Sequence, residues 1–229
     1  MIDPSRENAV LLEQMRRTLG SMSFAAQYQQ DPVPPDGNAI RREWLRYYDT
    51  VPTPDLVVAS WDTASTLGES SDYSVGTVWG LKRSDIYLLD VVRGRFEVPE
   101  LRRRIESVTL NYEAEATLIE ESDIGRAVMQ EMRLHSPVRP IAWWPQYDKE
   151  ARLLAQAPKF EAGQVLLPRD APWLADYIAE LLAFPNGRHD DQVDSTSQAL
   201  NWLSRRIAIG VPKARPNPTR PQGAPRRRP

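Results

Sequence analysis

Apolar runs of strand length, followed by alternating helical and strand patterns, organise the central part of the chain. Three apolar runs come first, at about 56–62, 73–81 and 86–92, and polar links join them. Successive strands with such links are typical of an antiparallel meander. From about residue 97 the pattern alternates between helix and strand, which indicates parallel strands with right-handed crossovers. The hydrophobic pattern therefore predicts an α/β fold, with a mixed sheet covered by helices.

The chain divides into three parts by composition. Residues 1–50 contain a helical stretch and a proline-rich loop and are expected to form an arm. Residues 51–207 are expected to form the main domain. In its alternating part we expect helices at about 97–112, 123–134, 148–161, 171–183 and 189–205, and strands at about 116–120, 138–143 and 164–167. Residues 208–229, rich in proline and arginine, are expected to form a disordered or extended tail.

Charge is distributed unevenly along the chain. The formal net charge is −2, from 29 basic and 31 acidic residues, yet residues 211–229 hold six basic residues and no acid, which leaves −8 on the first 210 residues. An acidic body with a basic tail fits an enzyme whose carboxylates hold metal while an arm contacts phosphate. The absence of cysteine excludes disulfides and thiolate chemistry. No apolar run approaches the roughly 18 residues of a membrane span.

Several carboxylates lie directly at the ends of apolar runs or at the start of a predicted helix. Asp62 follows the run 56–59, and Glu120 ends the run 116–119, so each is expected at the end of a strand. Ligands of open α/β sheets collect at strand ends. Asp191 and Asp194 are three residues apart, about 60° around the last helix, near its N-terminus. Taken alone, each acid is better explained as a turn or cap residue.

Taken together, these four acids predict a site for two divalent cations. Mg²⁺ prefers oxygen ligands, and two such ions roughly 3.5–4 Å apart can activate a water and stabilise the leaving oxygen of a phosphodiester. We therefore interpret Asp62, Glu120, Asp191 and Asp194 as the candidate metal ligands and catalytic residues of a nuclease. Lys149 and Arg152 either contact phosphate or form a solvated basic face. Trp143 and Trp144 either stack on an unpaired base or lie buried.

Several motifs in order resemble one known family. The chain resembles the C-terminal nuclease domain of the large terminase subunit of tailed bacteriophages, which has a ribonuclease-H-like fold. The segments that carry the resemblance are 24–32, 61–64 with 71–74, 89–94, 119–125, 148–152 and 187–194 (GRHDDQVD). The spacing of the last motif is also similar to that of Holliday-junction resolvases.

The resemblance implies an endonuclease that cuts concatemeric viral DNA during genome packaging, with two Mg²⁺ or Mn²⁺ ions. Asp62 then corresponds to the acid of the first strand, Glu120 to the acid of the second motif, and Asp191 and Asp194 to the acids of the final helix. The implied partners are double-stranded DNA, the terminase ATPase motor, the portal and the small terminase subunit, in the cytoplasm of the host cell. The alternatives are a junction resolvase or transposase-like nuclease, and a non-catalytic docking module of the packaging motor.

Overall fold

A seven-stranded mixed sheet forms the centre of the structure, a computed structural model that describes residues 38–63 and 73–209. The strands are β1 (Arg46–Tyr48), β2 (Leu56–Asp62), β3 (Ser74–Lys82), β4 (Asp85–Gly94), β5 (Ala116–Glu120), β6 (Ile141–Trp143) and β7 (Val165–Pro168). The helices are α1 (Val98–Asn111), α2 (Asp123–His135), α3 (Lys149–Leu154), α4 (Ala157–Glu161), α5 (Leu174–Ala183) and α6 (Asp191–Ile209), with a short 3₁₀ helix at Arg42–Trp44.

The strand order is β1-β7-β4-β3-β2-β5-β6. β2, β3 and β4 form an antiparallel meander, and β5 and β6 add parallel strands beside β2. The predicted mixed sheet is therefore confirmed, with its antiparallel meander and its parallel part. On the other side of the meander, β7 pairs parallel with β4, and β1 pairs parallel with β7.

Two hydrophobic cores lie on opposite faces of the sheet. Successive residues of a strand point to opposite faces, and β2 shows this directly. Val58 belongs to a core that also contains Leu118 of β5 and Leu200 of α6, whereas Trp61 belongs to a core formed with α1 and α2. The domain thus has three layers, and α6 lies on one face of the sheet centre.

Several local details differ from the sequence expectations, and three of them have a physical reason. The expected helix 148–161 is two short helices, and Pro158 lies in the first turn of the second, where its missing N–H needs no partner. The strand expected at 138–143 begins only at Ile141, directly after Pro140, which cannot donate a ladder hydrogen bond. Within residues 38–50, expected to lie in the arm, Trp44 enters the core and β1 joins the sheet.

The last helix, expected at about 189–205, continues to Ile209 and so includes residues 208 and 209, which were expected in the tail. The expected helices and loop before residue 38 and the rest of the tail lie outside the described residues. In the described ranges, no helix has both the length and the apolar character that crossing a bilayer requires.

Candidate active site

Asp62 and Glu120 end two neighbouring strands. β2 and β5 run parallel with Trp61 opposite Ile119, so the next residues of the two strands, Asp62 and Glu120, are neighbours in the same register. Adjacent strands lie about 4.8 Å apart. By alternation Asp62 shares its face with Val58, and Glu120 shares the same face with the core around α6. Both carboxylates therefore lie at the C-terminal ends of β2 and β5, on the face of the sheet that α6 covers.

Hydroxyl contacts fix these two strand ends relative to one another. Thr63 follows Asp62, and its Oγ1 lies 2.7 Å from Oγ of Ser122, two residues after Glu120. The same Ser122 oxygen accepts a hydrogen bond from Gly125 N at 2.9 Å and thereby caps α2. Only glycine fits at position 125, because a Cβ there would lie 2.2 Å from the Glu120 carbonyl oxygen. α2 can therefore begin directly against the strand end that carries the acid.

The N-terminal part of α6 packs on the sheet through small hydroxyl side chains. Ser60 Oγ donates to the Ser195 carbonyl, and Ser195 Oγ donates to the Ser60 carbonyl, each at 2.8 Å. Thr77 Oγ1 lies 2.8 Å from Ser195 Oγ. These three side chains are fully buried. Since Ser195 follows Asp194 directly, this contact determines where the acids of the helix stand relative to Asp62.

The carboxylates act on one another electrostatically. Burial raises the pKa of Asp62 well above its ordinary value, and the negative charges of Glu120, Asp194 and Asp191 raise it further, against a lowering by Lys149. Burial also raises the pKa of Glu120, where the positive charges of Arg152 and Lys149 act in the opposite direction to Asp194 and Asp190. Burial and the neighbouring negative charges therefore both disfavour the ionised form of these two carboxyl groups.

Two cations from α3 pair with the helix acids; we call Lys149 and Arg152 the α3 clasp. Lys149 Nζ lies 2.8 Å from Asp190 Oδ1 and 2.8 Å from Asp194 Oδ2, and Arg152 pairs with Asp194 Oδ1. Asp194 is only 2% exposed, so both of its oxygens are held by the clasp in a buried position. Burial lowers the pKa of Lys149, but the hydrogen bonds to Asp190 and Asp194 outweigh it and raise the pKa above its ordinary value.

Asp191 lies closer to a different cation. Its Oδ2 is 4.0 Å from a guanidinium nitrogen of Arg93 on β4, and the same nitrogen is 3.8 Å from Glu180 of α5. Arg93 also stacks over the ring of Tyr73 at 4.2 Å. Tyr73 in turn forms an edge-to-face contact with His189, with the ring centroids 5.9 Å apart. Basic and aromatic side chains therefore border the acids on the β4 side as well.

The structure places the predicted acids together at the C-terminal ends of β2 and β5. It also shows hydroxyl residues, not predicted from the sequence, that hold these strands and α6 in position. Asp62, Glu120 and the acids of α6 meet there, while their roles as ligands and catalysts stay predictions. The hydroxyl residues Ser60, Thr77, Ser122 and Ser195 were missed because a serine or threonine in a strand or helix carries no pattern of its own. Lys149 and Arg152 were considered for phosphate contact, and in the structure their charges are directed at Asp194.

The donor set fits hard divalent cations in its chemistry. Carboxylate oxygens are what Mg²⁺ and Mn²⁺ prefer, and the raised pKa values of Asp62 and Glu120 show that nearby positive charge would stabilise the ionised site. Among the described residues, no group of three or more acids and histidines is arranged as a complete metal site. The α3 clasp already occupies one acceptor direction on each Asp194 oxygen, so a cation at Asp194 would share these oxygens with Lys149 and Arg152 or displace one of them.

An antiparallel meander continued by parallel strands, with acids at the strand ends and on a helix laid across them, defines a ribonuclease-H-like domain. The chain belongs to the family of terminase RNaseH-like domains, whose family model matches residues 59–203. A search of curated proteins gives no match.

Solved structures of phage terminases share this fold. The large terminase of one thermophilic bacteriophage matches with a TM-score of 0.63 at 10% identity, over 87% of this chain and 53% of that one. The large terminase nuclease of a second thermophilic phage, G20c, matches with a TM-score of 0.51 at 22% identity when zinc is bound, over 69% of this chain and 92% of that one. Its magnesium-bound structure gives a TM-score of 0.50 at 20% identity, over 69% and 91% of the two chains. This chain thus spans about half the length of the first of these large terminases.

Replacing Asp62 by asparagine should stabilise the metal-free protein at neutral pH. Because the pKa of Asp62 is raised in the folded state, the folded chain binds more protons than the unfolded chain between the two pKa values, so stability falls as pH rises through that window. Asp62→Asn removes this loss. Thermal unfolding in chelator at neutral pH should show a higher melting temperature than that of the wild-type protein; in a chain of this size, each 1 kcal/mol of stabilisation corresponds to about 2–4 °C. An equal or lower melting temperature, with an unchanged pH profile, would contradict the electrostatics described for the site.

The α3 clasp should show measurable coupling between Arg152 and Asp194. A double-mutant cycle of Arg152→Met and Asp194→Asn, followed by urea unfolding, should give an interaction energy of about 0.5–3 kcal/mol, as for residues in one ion-pair network. The matched control is the exposed pair Arg169 and Asp49, whose side chains are 63% and 74% exposed; its coupling should be smaller than that of the clasp and at most about 1 kcal/mol. Equal coupling in the two cycles would show that the buried clasp does not hold Asp194.

Proposed function

We propose that this chain is a metal-dependent DNA endonuclease, the nuclease part of a large terminase subunit, which cuts concatemeric viral DNA during genome packaging. One observation carries the proposal. Asp62, Glu120 and Asp194 lie together at the C-terminal ends of β2 and β5, on the face covered by α6, and the pKa values of Asp62 and Glu120 are both raised. Membership of the terminase RNaseH-like family supports it. The G20c relatives, described with bound magnesium, zinc and cobalt, support a role for divalent cations.

The proposed ligands are Asp62, Glu120, Asp191 and Asp194, and the proposed ions are two Mg²⁺ or Mn²⁺. When bound, such ions lower the pKa of an attacking water and offset the negative charge that develops on the departing 3′ oxygen. The protein contributes rigid placement of the carboxylates. Asp62 and Glu120 are held by paired strands and by the Thr63–Ser122 contact, and the α6 acids by Ser195.

The α3 clasp is proposed to take part in substrate binding. Lys149 is half-exposed and pairs with two acids of the site, so its ammonium is available to a phosphate oxygen when Asp194 accepts another cation. Arg93, on the opposite side of Asp191, supplies a second positive charge near the same acids. The reaction is hydrolysis: water adds to phosphorus, the bond to the 3′ oxygen breaks, and no side chain forms a covalent intermediate.

The proposed substrate is double-stranded DNA, and the proposed partners are the terminase ATPase motor, the portal and the small terminase subunit. This setting corresponds to the cytoplasm of the infected host cell. The partners follow from the terminase family and the large-terminase relatives.

Asp62→Asn or Asp194→Asn should abolish Mn²⁺-dependent nicking of supercoiled plasmid. Loss of a metal ligand removes several kcal/mol of transition-state stabilisation, which corresponds to a rate reduction of about a thousandfold or more. The matched control is Asp55→Asn, because Asp55 directly precedes β2 and therefore lies at the opposite end of the strand that carries Asp62. The control should cut at the rate of the wild-type protein.

Nicking by both site variants at the rate of the Asp55→Asn control would remove the proposed catalytic roles. Binding to packaging proteins without cleavage of any DNA would favour the docking module, and a preference for branched over linear DNA would favour the junction resolvase.

A further inference from the structure

Two large aromatic side chains are exposed to solvent in the segment that connects β6 to α3. Trp144 is 65% exposed and Tyr147 is 71% exposed. Both belong to the segment 144–148, which joins the end of β6 to the start of α3; we call it the aromatic loop. Tryptophan is highly buried on average in folded proteins and tyrosine is intermediate, and both are enriched at binding interfaces. Two such rings within four residues therefore indicate a binding surface.

Both ends of the aromatic loop are attached to the candidate active site. Before the loop, Trp143 lies opposite Glu120 in the pairing of β6 with β5, and its carbonyl accepts a hydrogen bond from Glu121 N at 2.8 Å. After the loop, Asp148 caps α3 by accepting a hydrogen bond from Ala151 N at 2.7 Å. The next residue is Lys149, which pairs with Asp190 and Asp194. The two rings therefore project from a segment whose ends contact the acids on both sides.

Positive charge lies at both ends of the aromatic loop. Lys149 follows Tyr147 by two residues, and the guanidinium of Arg205 lies 5.4 Å from the ring centroid of Trp143, the strand residue directly before the loop. Aromatic rings combined with cations next to a phosphodiester site are the features with which proteins bind exposed bases and their phosphates. Direct continuity with the acids favours nucleic acid over a protein partner as the occupant of this surface.

We propose that Trp144 and Tyr147 form a stacking platform for a DNA base that is unpaired next to the cleaved bond. This inference rests on the proposed nuclease function and specifies the form of its substrate. In an intact duplex the faces of the bases are covered by their neighbours, so a ring can stack only on a base that has left the helix. The chain should therefore prefer DNA with locally broken pairing over a continuous duplex of the same sequence.

The test measures binding in the Asp62→Asn background, so that cleavage does not interfere. Two DNA probes share one sequence and carry 2-aminopurine at the same position, one fully paired and one inside a short mismatched bubble. Adding Trp144→Ala should weaken binding to the bubble by about tenfold, within the range for stacking on one base. It should also abolish the quenching of 2-aminopurine fluorescence and leave duplex binding nearly unchanged. Trp144→Phe, which keeps a ring, should retain most of the binding.

The matched control is Tyr47→Ala. Tyr47 is also exposed, at 39%, but it lies on β1 at the opposite edge of the sheet from β6. Its loss should change neither probe. Thermal unfolding of each variant checks that the fold is retained, which we expect because Trp144 projects into solvent.

Equal weakening on bubble and duplex DNA would overturn the inference, because a general surface contact would then explain the effect. Unchanged DNA binding by Trp144→Ala would also overturn it, and a protein partner would then be the better explanation for the exposed rings of the aromatic loop. Failure of the proposed function has a different signature, because the protein with Asp62 intact would then not nick plasmid whatever residue stands at position 144.

Discussion

The direct contact between α6 and β2 is the constraint on which the candidate site depends. The reciprocal hydrogen bonds of Ser60 and Ser195, at 2.8 Å, connect the backbone of the helix to the backbone of the strand. Two small side chains allow this close approach, and a larger residue at either position would move the helix away from the sheet. Because Asp62 is two residues after Ser60 and Asp194 directly precedes Ser195, the same contact determines how close the acids stand.

That arrangement confines negative charge in a largely buried place, and the domain offsets it from two sides. The α3 clasp supplies two cations to Asp194, and Arg93 approaches Asp191 from β4. Removing one partner of a buried ion pair leaves an uncompensated charge, which is strongly destabilising. The clasp therefore holds the buried charge of Asp194 in a compensated state.

The strands and the position of the acids were predictable because they follow from period and order. The bounds of the strand that ends at Glu120 were predicted correctly, because a short apolar stretch followed by an acid marks both ends of a strand clearly. β1 was missed because it is three residues long and carries two exposed side chains, so it has little hydrophobic signal. The helix break at residues 155 and 156 was missed because helical periodicity continues across it. The pairing of Lys149 with Asp190 and Asp194, about 41–45 residues away in sequence, depends on tertiary packing that no local pattern encodes.

Anomalous diffraction from crystals soaked in Mn²⁺ tests whether these acids form one cation-binding centre. We expect manganese peaks that contact carboxylate oxygens of both Asp62 and Glu120, together with an acid of α6. Manganese bound elsewhere, or a structure in which saturating Mn²⁺ leaves Asp62 and Glu120 without a shared ion, would contradict this expectation.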